Sequence, residues 1–467
     1  MNRRNFIKWS LAHSLGAAGL NTTLGALATA KAALNVRAGE ANDYRALVCV
    51  YLYGGNDSFN MLIPRDNSRY ATYLASRGGS LALPQSDLLP IDDGVQGAFG
   101  LHPACAALQG LYNQNNLSFI TNTGTLIQPT SQQDYANGVG LPRHLFSHNS
   151  QQDQSMTARP QQDSRSGWAG RIADLLHAGT NNDVLVPFNL SIGGQNILQV
   201  GAQSTPVIVG PGGMPTFDIC DLTNVNSLCG SALNNSVQQA LAQNNELVRS
   251  HGRVFQRSHD LSNAIDTALQ GSVTVNPNLY PVAPQGFPGN PDLSLQLQMV
   301  TRLISVAQTL GHQRSIFFVS LGGWDTHDNQ LINHDLLLSN LSQNLAAFYQ
   351  QLNDFGLSDQ VLTFTASDFG RTLTSNGDGS DHGWGGNQLV IGSQNNLLGG
   401  SLYGAFPDLA LGSADDADLG RIIPTTPLDA YYATLVRWLG VQNTDMLDVF
   451  PNLVNFGGAT TDMGFLM

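Results

Sequence analysis

The chain has 467 residues, of which only 12% are charged, and a formal net charge of −13 at pH 7. This length is enough for one large α/β domain, or two smaller ones, with a sizeable buried core. The acidic balance argues against nucleic acid as a partner, because phosphate backbones are bound by clustered Lys and Arg. It does not exclude small anionic substrates, since a bound metal ion inverts the local field.

The N-terminus carries a pattern typical of export. Arg3 and Arg4 precede a weakly apolar run over residues 9–27, and small residues suited to signal cleavage follow it. The pattern resembles a twin-arginine signal peptide over residues 1–32. The alternative is a membrane anchor preceded by two arginines by chance. However, the run is short and contains polar residues, and no later segment approaches the ~18 apolar residues of a confident membrane span.

Export would place the mature chain in the periplasm or outside the cell, with the twin-arginine translocase as its partner in transit and no stable membrane insertion. In that oxidising compartment Cys220 and Cys229, which bracket a short polar loop, would be able to pair. Cys49 lies in an apolar strand and Cys105 in a predicted helix, so both are expected to be buried thiols.

The first half of the mature chain predicts two strands and a helix. Residues 45–53 are almost continuously apolar, which is typical of a central strand covered on both faces. Residues 61–100 are rich in Pro, Gly and Asp and are expected to be mostly loop. A helix is predicted over residues 102–112 and a second strand over residues 117–121.

The middle of the chain predicts an insertion. A helix is expected after Gly167, and residues 184–232 alternate short apolar runs with Gly and Pro, which indicates short strands. A helical pattern then covers residues 234–270, and a Pro-rich connection follows. Together these features predict a lid-like insertion near residues 184–290.

The second half repeats a strand–loop–helix unit. A strand over residues 315–321 leads into a Gly-Gly-Trp-Asp-Thr-His loop, and an amphipathic helix ends at Gly356. A further strand over residues 361–366 leads into Asp368. Because strand–helix–strand units have parallel strands, both loops are expected at one edge of a sheet. A last helix is predicted from Pro427 to Gly440.

Acids and histidines follow the predicted strands and indicate a metal site. Ligand sites of open α/β sheets lie at the carboxyl ends of the strands. Converging carboxylates repel unless a cation neutralises them, and added imidazole favours zinc, manganese or iron-type ions over calcium. One or two divalent ions (Zn, Mg, Mn or Ca) are therefore predicted. The predicted metal ligands are Asp57, Asp325, His327, Asp368 and His382.

Two further residues are candidates for catalysis. Arg371, one turn beyond Asp368, would bind the anionic oxygens of a substrate through its forked guanidinium. Ser147 is a candidate nucleophile at the start of a helix, and a metal-bound water is the alternative attacker. No Gly-x-Ser-x-Gly elbow is present, so the sequence does not support α/β-hydrolase chemistry.

Each site residue also has a structural interpretation. Asp57 would cap a turn, and Asp325 with His327 would form a local hydrogen-bonded pair. Asp368 would cap a helix, and His382 would pack within its Gly-rich loop. The joint pattern favours the metal site over these separate roles.

Five motifs together resemble a known family. The motifs are GGNDSFN, LFSHNSQQ, LGGWDTHDNQ, SDFGRT and DHGWGGN, behind the twin-arginine pattern. They resemble a bacterial exported family of unknown function (domain of unknown function 1501) that is similar to the alkaline phosphatase/sulfatase-like superfamily. The resemblance covers nearly all of residues 45–467. It implies a three-layer α/β/α sandwich with a mostly parallel central sheet.

The resemblance also implies a two-metal site. By position, Asp57 and Asp368 would bind one ion, whereas Asp325, His327 and His382 would bind the other. The chain is then expected to be a metal-dependent hydrolase of phosphate or sulfate esters, acting on a small anionic ester or a carbohydrate-linked substrate. The alternative is a catalytically weakened or inactive periplasmic domain that binds carbohydrate or a protein partner, which the polar, uncharged surface fits about as well.

Overall fold

The computed structural model describes most of residues 43–467. The described residues are 43–181, 185–214, 228–284, 286–290 and 293–467. The predicted signal peptide (residues 1–32) and Cys220 lie outside these ranges, so the export signal and the Cys220–Cys229 pairing stay predictions. Within the described residues, no helix is both long enough and apolar enough to cross a membrane.

Fourteen strands and eleven α-helices are named in chain order among the described residues. The strands are β1 (Arg45–Leu52), β2 (Leu62–Pro64), β3 (Leu89–Asp93), β4 (Gly97–Leu101), β5 (Leu117–Gly124), β6 (Asn189–Ser191), β7 (Val207–Ile208), β8 (Arg314–Leu321), β9 (Val361–Ser367), β10 (Arg371–Ser375), β11 (Ser380–His382), β12 (Gly386–Ile391), β13 (Leu402–Tyr403) and β14 (Thr426–Pro427). The helices are α1 (Asn67–Leu81), α2 (Ala106–Asn113), α3 (Gln132–Asn137), α4 (His148–Thr157), α5 (Trp168–Thr180), α6 (Leu228–Leu241), α7 (Glu246–Leu269), α8 (Leu293–Ser305), α9 (Gln330–Asp354), α10 (Leu428–Leu439) and α11 (Met446–Val449).

A nine-stranded mixed sheet forms the centre of the protein. Its order is β13-β5-β12-β9-β1-β8-β6-β7, and β14 also pairs with β5. Only β12 runs antiparallel to its neighbours; the other pairs in this sheet are parallel. The central strand β1 lies between β8 and β9, so that Leu52 is level with Leu321 on one side and with Ser367 on the other. The predicted parallel strands with their loops at one edge are confirmed.

The side chains of β1 show why helices cover both faces of this sheet. Successive side chains of a strand point to opposite faces. One set belongs to an apolar cluster that includes residues of α2, α8 and α9: Ala46, Val48 and Val50. The other set belongs to a second cluster with residues of α5, α10 and α11: Leu47, Cys49 and Tyr51. The three-layer α/β/α sandwich is therefore confirmed.

Residues 61–100 differ from the sequence-based expectation. The prediction that this stretch is mostly loop is wrong, because it contains α1 and a small antiparallel sheet in the order β2-β4-β3. Asp66 caps α1 by accepting from the Arg69 amide, and the helix is kinked at Gly78, where φ is 63°. Some of the Gly, Pro and Asp residues that suggested loops lie inside these elements, such as Gly78 in α1, Pro90 in β3 and Gly100 in β4, whereas Pro84 and Gly94 lie between them.

The segment near residues 184–290 is only partly separate from the rest. Two of its strands, β6 and β7, extend the main sheet beyond β8, whereas α6 and α7 pack against each other. The lid role of this segment stays a prediction. Cys49 and Cys105 are buried free thiols as expected, and burial raises the pKa of both, so neither is suited to thiolate chemistry.

Close packing of α5 yields a test of the fold. A Cβ added at Gly170 would lie 2.0 Å from the carbonyl carbon of Val200. We expect Gly170→Ala to lower the free energy of unfolding by about 1–3 kcal/mol or more, because backbone has to move. The matched control is Gly110→Ala in α2, where an added Cβ meets no atom within 4 Å, and it is expected to stabilise by up to about 1 kcal/mol. Urea unfolding measures both, and equal stabilities would contradict the packing.

Candidate metal site

The site lies where three adjacent parallel strands end. The chain leaves β1, β8 and β9 at the same level, and the loops are then joined by backbone hydrogen bonds from Tyr53 to Leu321 and from Trp324 to Tyr53. Gly54 has a φ of 118°, and a Cβ there would lie 2.4 Å from the amide nitrogen of Asp325. The glycine thus allows the loop after β1 to approach the residue that stands at the centre of the site.

Three imidazoles converge on the carboxylate of Asp325. Its Oδ1 lies 3.0 Å from Nε2 of His327 and 3.2 Å from Nε2 of His382. Its Oδ2 lies 3.3 Å from Nε2 of His148, the first residue of α4. The Nε2 atoms of His327 and His382 are 3.0 Å apart. Four side chains from three separate segments therefore meet here, three imidazoles through Nε2 and Asp325 through both of its oxygens.

The opposite nitrogen of each imidazole is held by a hydrogen-bond acceptor. The Nδ1 atom of His148 lies 2.8 Å from Oδ2 of Asp368, and that of His327 lies 3.1 Å from Oδ1 of Asp381. The Nδ1 atom of His382 lies 2.7 Å from the backbone oxygen of Phe146. A carbonyl can only accept, so the neutral ring of His382 carries its proton on Nδ1 and its lone pair on Nε2. Asp368 and Asp381 favour the same tautomer in neutral His148 and His327, with the lone pair on Nε2.

This arrangement fits a metal ion. The lone pairs of three Nε2 atoms and one carboxylate oxygen repel one another unless a proton or a cation lies between them. His148 Nε2 is buried and has no hydrogen-bond partner, and the ligand atoms of His148, Asp325 and His382 all lie within 4.8 Å of one another. Three imidazoles and one carboxylate suit zinc and similar transition ions better than calcium or magnesium.

Buried charge behind the cluster holds Asp325 in place. Arg371 is fully buried and donates from Nη1 to Oδ1 of Asp325 at 2.5 Å and to the backbone oxygen of Gly54 at 3.2 Å. Partial burial raises the pKa of the Asp325 carboxyl, but the hydrogen bond and charge of Arg371 outweigh it and hold the pKa below its ordinary value. Asp325 is thus kept as a carboxylate.

The start of α4 is fixed by an unusual backbone conformation. Phe146 has a φ of 67°, in the left-handed region that costs a non-glycine residue about 1–3 kcal/mol. Its amide donates to Oε1 of Gln151 at 2.5 Å, and the guanidinium of Arg421 lies 4.5 Å from its ring centroid. These contacts aim its carbonyl at His382, so the segment that carries His148 also orients a second ligand.

The structure brings some of the predicted ligands together and sets others apart. Asp325, His327 and His382 lie in the cluster. Asp368 stands behind His148, accepting from its Nδ1 and, at 3.2 Å, from the amide of Gly54. Asp57 lies outside the cluster with no exposed surface, and both of its oxygens are bonded to buried side chains, Arg77 and Gln330.

The two predicted catalytic residues are also located. Arg371 faces inward, because Nε and both terminal nitrogens of its guanidinium are bonded within the protein, to Asp325, Gly54 and Ser380. Ser147 is the N-cap residue of α4, is half-buried, and makes no capping hydrogen bond with its side chain.

His148 is the candidate ligand that the sequence did not single out. In the sequence it is the residue after Ser147 in the motif LFSHNSQQ, and no acidic residue at the end of a predicted strand lies next to it. A signal was nevertheless present, since this motif follows β5 and belongs to the same set of polar loops.

Comparisons with known proteins add a family and a set of distant structural likenesses. A family described as "Protein of unknown function (DUF1501)" matches residues 44–421. No curated protein matches the chain in sequence. Among solved structures, PsFucS1 sulfatase from Pseudoalteromonas sp. is 12% identical, with 89% of this chain and 72% of that chain covered and a TM-score of 0.36.

Two further solved structures are similar at the same level. The lipoteichoic acid synthase LtaP from Listeria monocytogenes is 8% identical, with 89% of this chain and 76% of that chain covered and a TM-score of 0.35. The C-terminal periplasmic domain of EcEptC from Escherichia coli, in a complex with Zn, is 11% identical, with coverages of 76% and 74% and a TM-score of 0.31. At these values the likenesses do not assign an activity to the chain.

The metal-free protein should show the link between Asp368 and His148 in its titration. The hydrogen bond to Asp368 raises the pKa of His148 above its ordinary value, whereas partial burial lowers that of His382. A raised pKa stabilises the fold fully below the unfolded value of 6.5, and this stabilisation is lost as pH rises through the folded pKa. We expect Asp368→Asn to lower the pKa of His148, as followed by NMR of the imidazole nitrogens. Asp328→Asn, at an exposed acid, should leave it unchanged; an equal effect of both variants would contradict the pairing.

Proposed function

We propose, for a chain that belongs to the protein family of unknown function DUF1501, that it is an exported, metal-dependent hydrolase of phosphate or sulfate esters. The observation that carries this proposal is the convergence of three imidazole Nε2 atoms on the Asp325 carboxylate, at the edge of the sheet where β1, β8 and β9 end. His148, Asp325, His327 and His382 would hold the ion.

The charge balance of this ligand set favours an anionic substrate. Three ligands are neutral imidazoles, and the single carboxylate, Asp325, is already paired with Arg371. A divalent cation held there would polarise an ester oxygen and offset the negative charge that develops as the ester bond breaks. Because the ligands and Arg371 carry no net negative charge, most of the charge of the ion would remain available to a phosphate or sulfate group.

The site is open enough for an ester on a larger molecule. The four ligand side chains are 24–42% exposed. Two large cavities, of about 590 and 630 Å³, are lined by other parts of the fold and contain none of these ligands. The reacting group would therefore approach an accessible edge of the sheet, which suits a small anionic ester or a carbohydrate-linked one.

Arg371 and Asp368 would act as positioning residues. Arg371 holds Asp325 from behind, and its nitrogens would have to leave their partners before they reached a substrate. Asp368 orients His148 and, as a hydrogen-bonded carboxylate, makes that imidazole a better donor to a cation. The sequence predicted that Arg371 would bind the ester oxygens directly. In this proposal Arg371 instead holds Asp325.

Ser147 would be the nucleophile. It directly precedes the ligand His148, and its hydroxyl is not engaged in capping α4, so it remains available at the positive end of the helix. Attack by its Oγ would break the P–O or S–O bond of the ester and release the alcohol, which takes up the proton given up by the serine hydroxyl. Water would then hydrolyse the phosphoryl- or sulfuryl-serine, which releases the inorganic anion and returns a proton to Oγ.

The proposal is tested by metal content together with turnover. We expect a transition metal to copurify with the protein and a panel of aryl phosphates, phosphodiesters and aryl sulfates to contain a substrate. Asp325→Asn and His382→Ala should lose the metal and lower kcat/KM by more than about 100-fold, since even residues that only orient ligands typically cost 10–100-fold. The control is Asp328→Asn, an exposed neighbour of His327, which should behave as the unmodified protein.

The outcomes are distinct. Absence of bound metal, with no loss of stability on chelation, would refute the proposal. Bound metal without turnover of any ester in the panel would instead favour the alternative, a periplasmic domain that binds carbohydrate or a protein.

The role of Ser147 is tested separately. We expect Ser147→Ala to lower kcat by more than about 100-fold while the bound metal is retained, because the attacking group is lost but the ligands are not. Ser150→Ala, one turn further along α4, is the matched control and should stay within about threefold. If Ser147→Ala keeps full activity, the attacking oxygen comes from water and not from this hydroxyl.

A further inference from the structure

The fully buried pair of Asp57 and Arg77 does not fit a second metal ion. Neither side chain has any exposed surface, and Arg77 donates to Oδ1 of Asp57 from one nitrogen and to the backbone oxygen of Thr372, at 3.1 Å, from another. The other oxygen of Asp57 accepts from Nε2 of Gln330. A cation at Asp57 would have to displace a guanidinium that carries its charge at any pH in the physiological range.

The same pair is connected to the metal site by a chain of hydrogen bonds. Ser380 donates from Oγ to Oε1 of Gln330 at 2.6 Å, and it accepts from Nε of Arg371 at 3.3 Å. Arg371 in turn donates to Asp325. Gln330, Ser380 and Arg371 have no exposed surface, so water does not compete for these bonds.

The hydrogen bonds of this series are donated in one direction, from Arg371 to Ser380, from Ser380 to Gln330 and from Gln330 to Asp57. Gln330 gives its amide hydrogens to Asp57, so its oxygen is left to accept from Ser380. Because the hydroxyl of Ser380 is used toward Gln330, its lone pair is left for Arg371. The two carboxylates and two guanidiniums also balance in charge, which lets Asp57, Arg77 and Arg371 be buried without a further cation beside Asp57.

We propose that the Arg77 guanidinium takes the place of a second metal ion beside Asp57, so that each chain binds a single divalent cation, and that Gln330 and Ser380 are positioning residues that hold Arg371 and Asp325 for it. The proposal rests on the metal site of the proposed function and differs from the two-metal site that the family resemblance implies. It holds whichever ester is the substrate.

The first test is the number of ions in the full, folded protein. After dialysis against metal-free buffer, elemental analysis should give one transition-metal ion per chain. Two ions per chain would overturn the proposal. No ion would overturn both this proposal and the metal site, whereas failure to hydrolyse any ester would leave the count at one and so refute only the activity.

The second test interrupts this series of hydrogen bonds while both ion pairs, Asp57 with Arg77 and Asp325 with Arg371, keep their partners. Gln330→Met should weaken the binding of Co²⁺ about tenfold or more and change the visible absorption spectrum of the bound ion, with the stoichiometry still at one. The matched control is Gln351→Met, at another buried glutamine of α9, which bonds to the Asn276 amide away from the site and should change neither quantity.

A second variant tests the same series of hydrogen bonds at another residue. Ser380→Ala interrupts the same chain with a smaller change of volume and should shift the affinity and the spectrum in the same direction. Unchanged Co²⁺ affinity and an unchanged spectrum in folded Gln330→Met or Ser380→Ala would overturn the positioning role. A merely structural role would lower thermal stability in these variants but leave the Co²⁺ spectrum as it is.

Discussion

Crowding of lone pairs around Asp325 is the constraint on which the site depends. Imidazoles 3.0 Å apart with their protons on the far nitrogens cannot be stable neighbours of a carboxylate without positive charge between them. The surrounding residues maintain this arrangement. Asp368, Asp381 and the carbonyl of Phe146 prevent the rings from turning their protons inward. The fold therefore sacrifices some stability in the metal-free state to present a preformed set of donors.

The two buried guanidiniums serve this set in different ways. Arg371 neutralises Asp325 directly, and Arg77 neutralises Asp57 beneath it. Removing one partner from the fully buried pair of Arg77 and Asp57 would leave an uncompensated charge in a medium of low dielectric, so this pair is fixed. In the pair of Arg371 and Asp325 only the guanidinium is fully buried, and the carboxylate remains partly exposed at the site. Substrate recognition by positive charge would then come from the bound cation rather than from either arginine.

The strand ends of the site could be predicted from sequence, whereas the contacts beneath them could not. Apolar runs that end in acidic loops, together with parallel pairing, placed Asp325, His327 and Asp368 at one edge. His148 was not predicted as a ligand, because its position depends on the left-handed conformation of Phe146 and on a hydrogen bond between distant parts of the chain. His382 donates this bond to the carbonyl oxygen of Phe146. The pairing of Asp57 with Arg77 could not be predicted either, because Arg77 lies in α1, within a stretch whose composition suggested a loop.

The order of strands in the sheet has a consequence for how the chain folds. β1 ends at Leu52, yet its two neighbours in the sheet are β8, which begins at Arg314, and β9, which begins at Val361. Its backbone N–H and C=O groups therefore cannot pair with these neighbours until the distant segments have been synthesised, and closing so long a loop is slow. Until then the strand is an aggregation-prone edge. A chain with this topology places β1, and the loop after β8 that carries Asp325 and His327, only once both β8 and β9 have been synthesised.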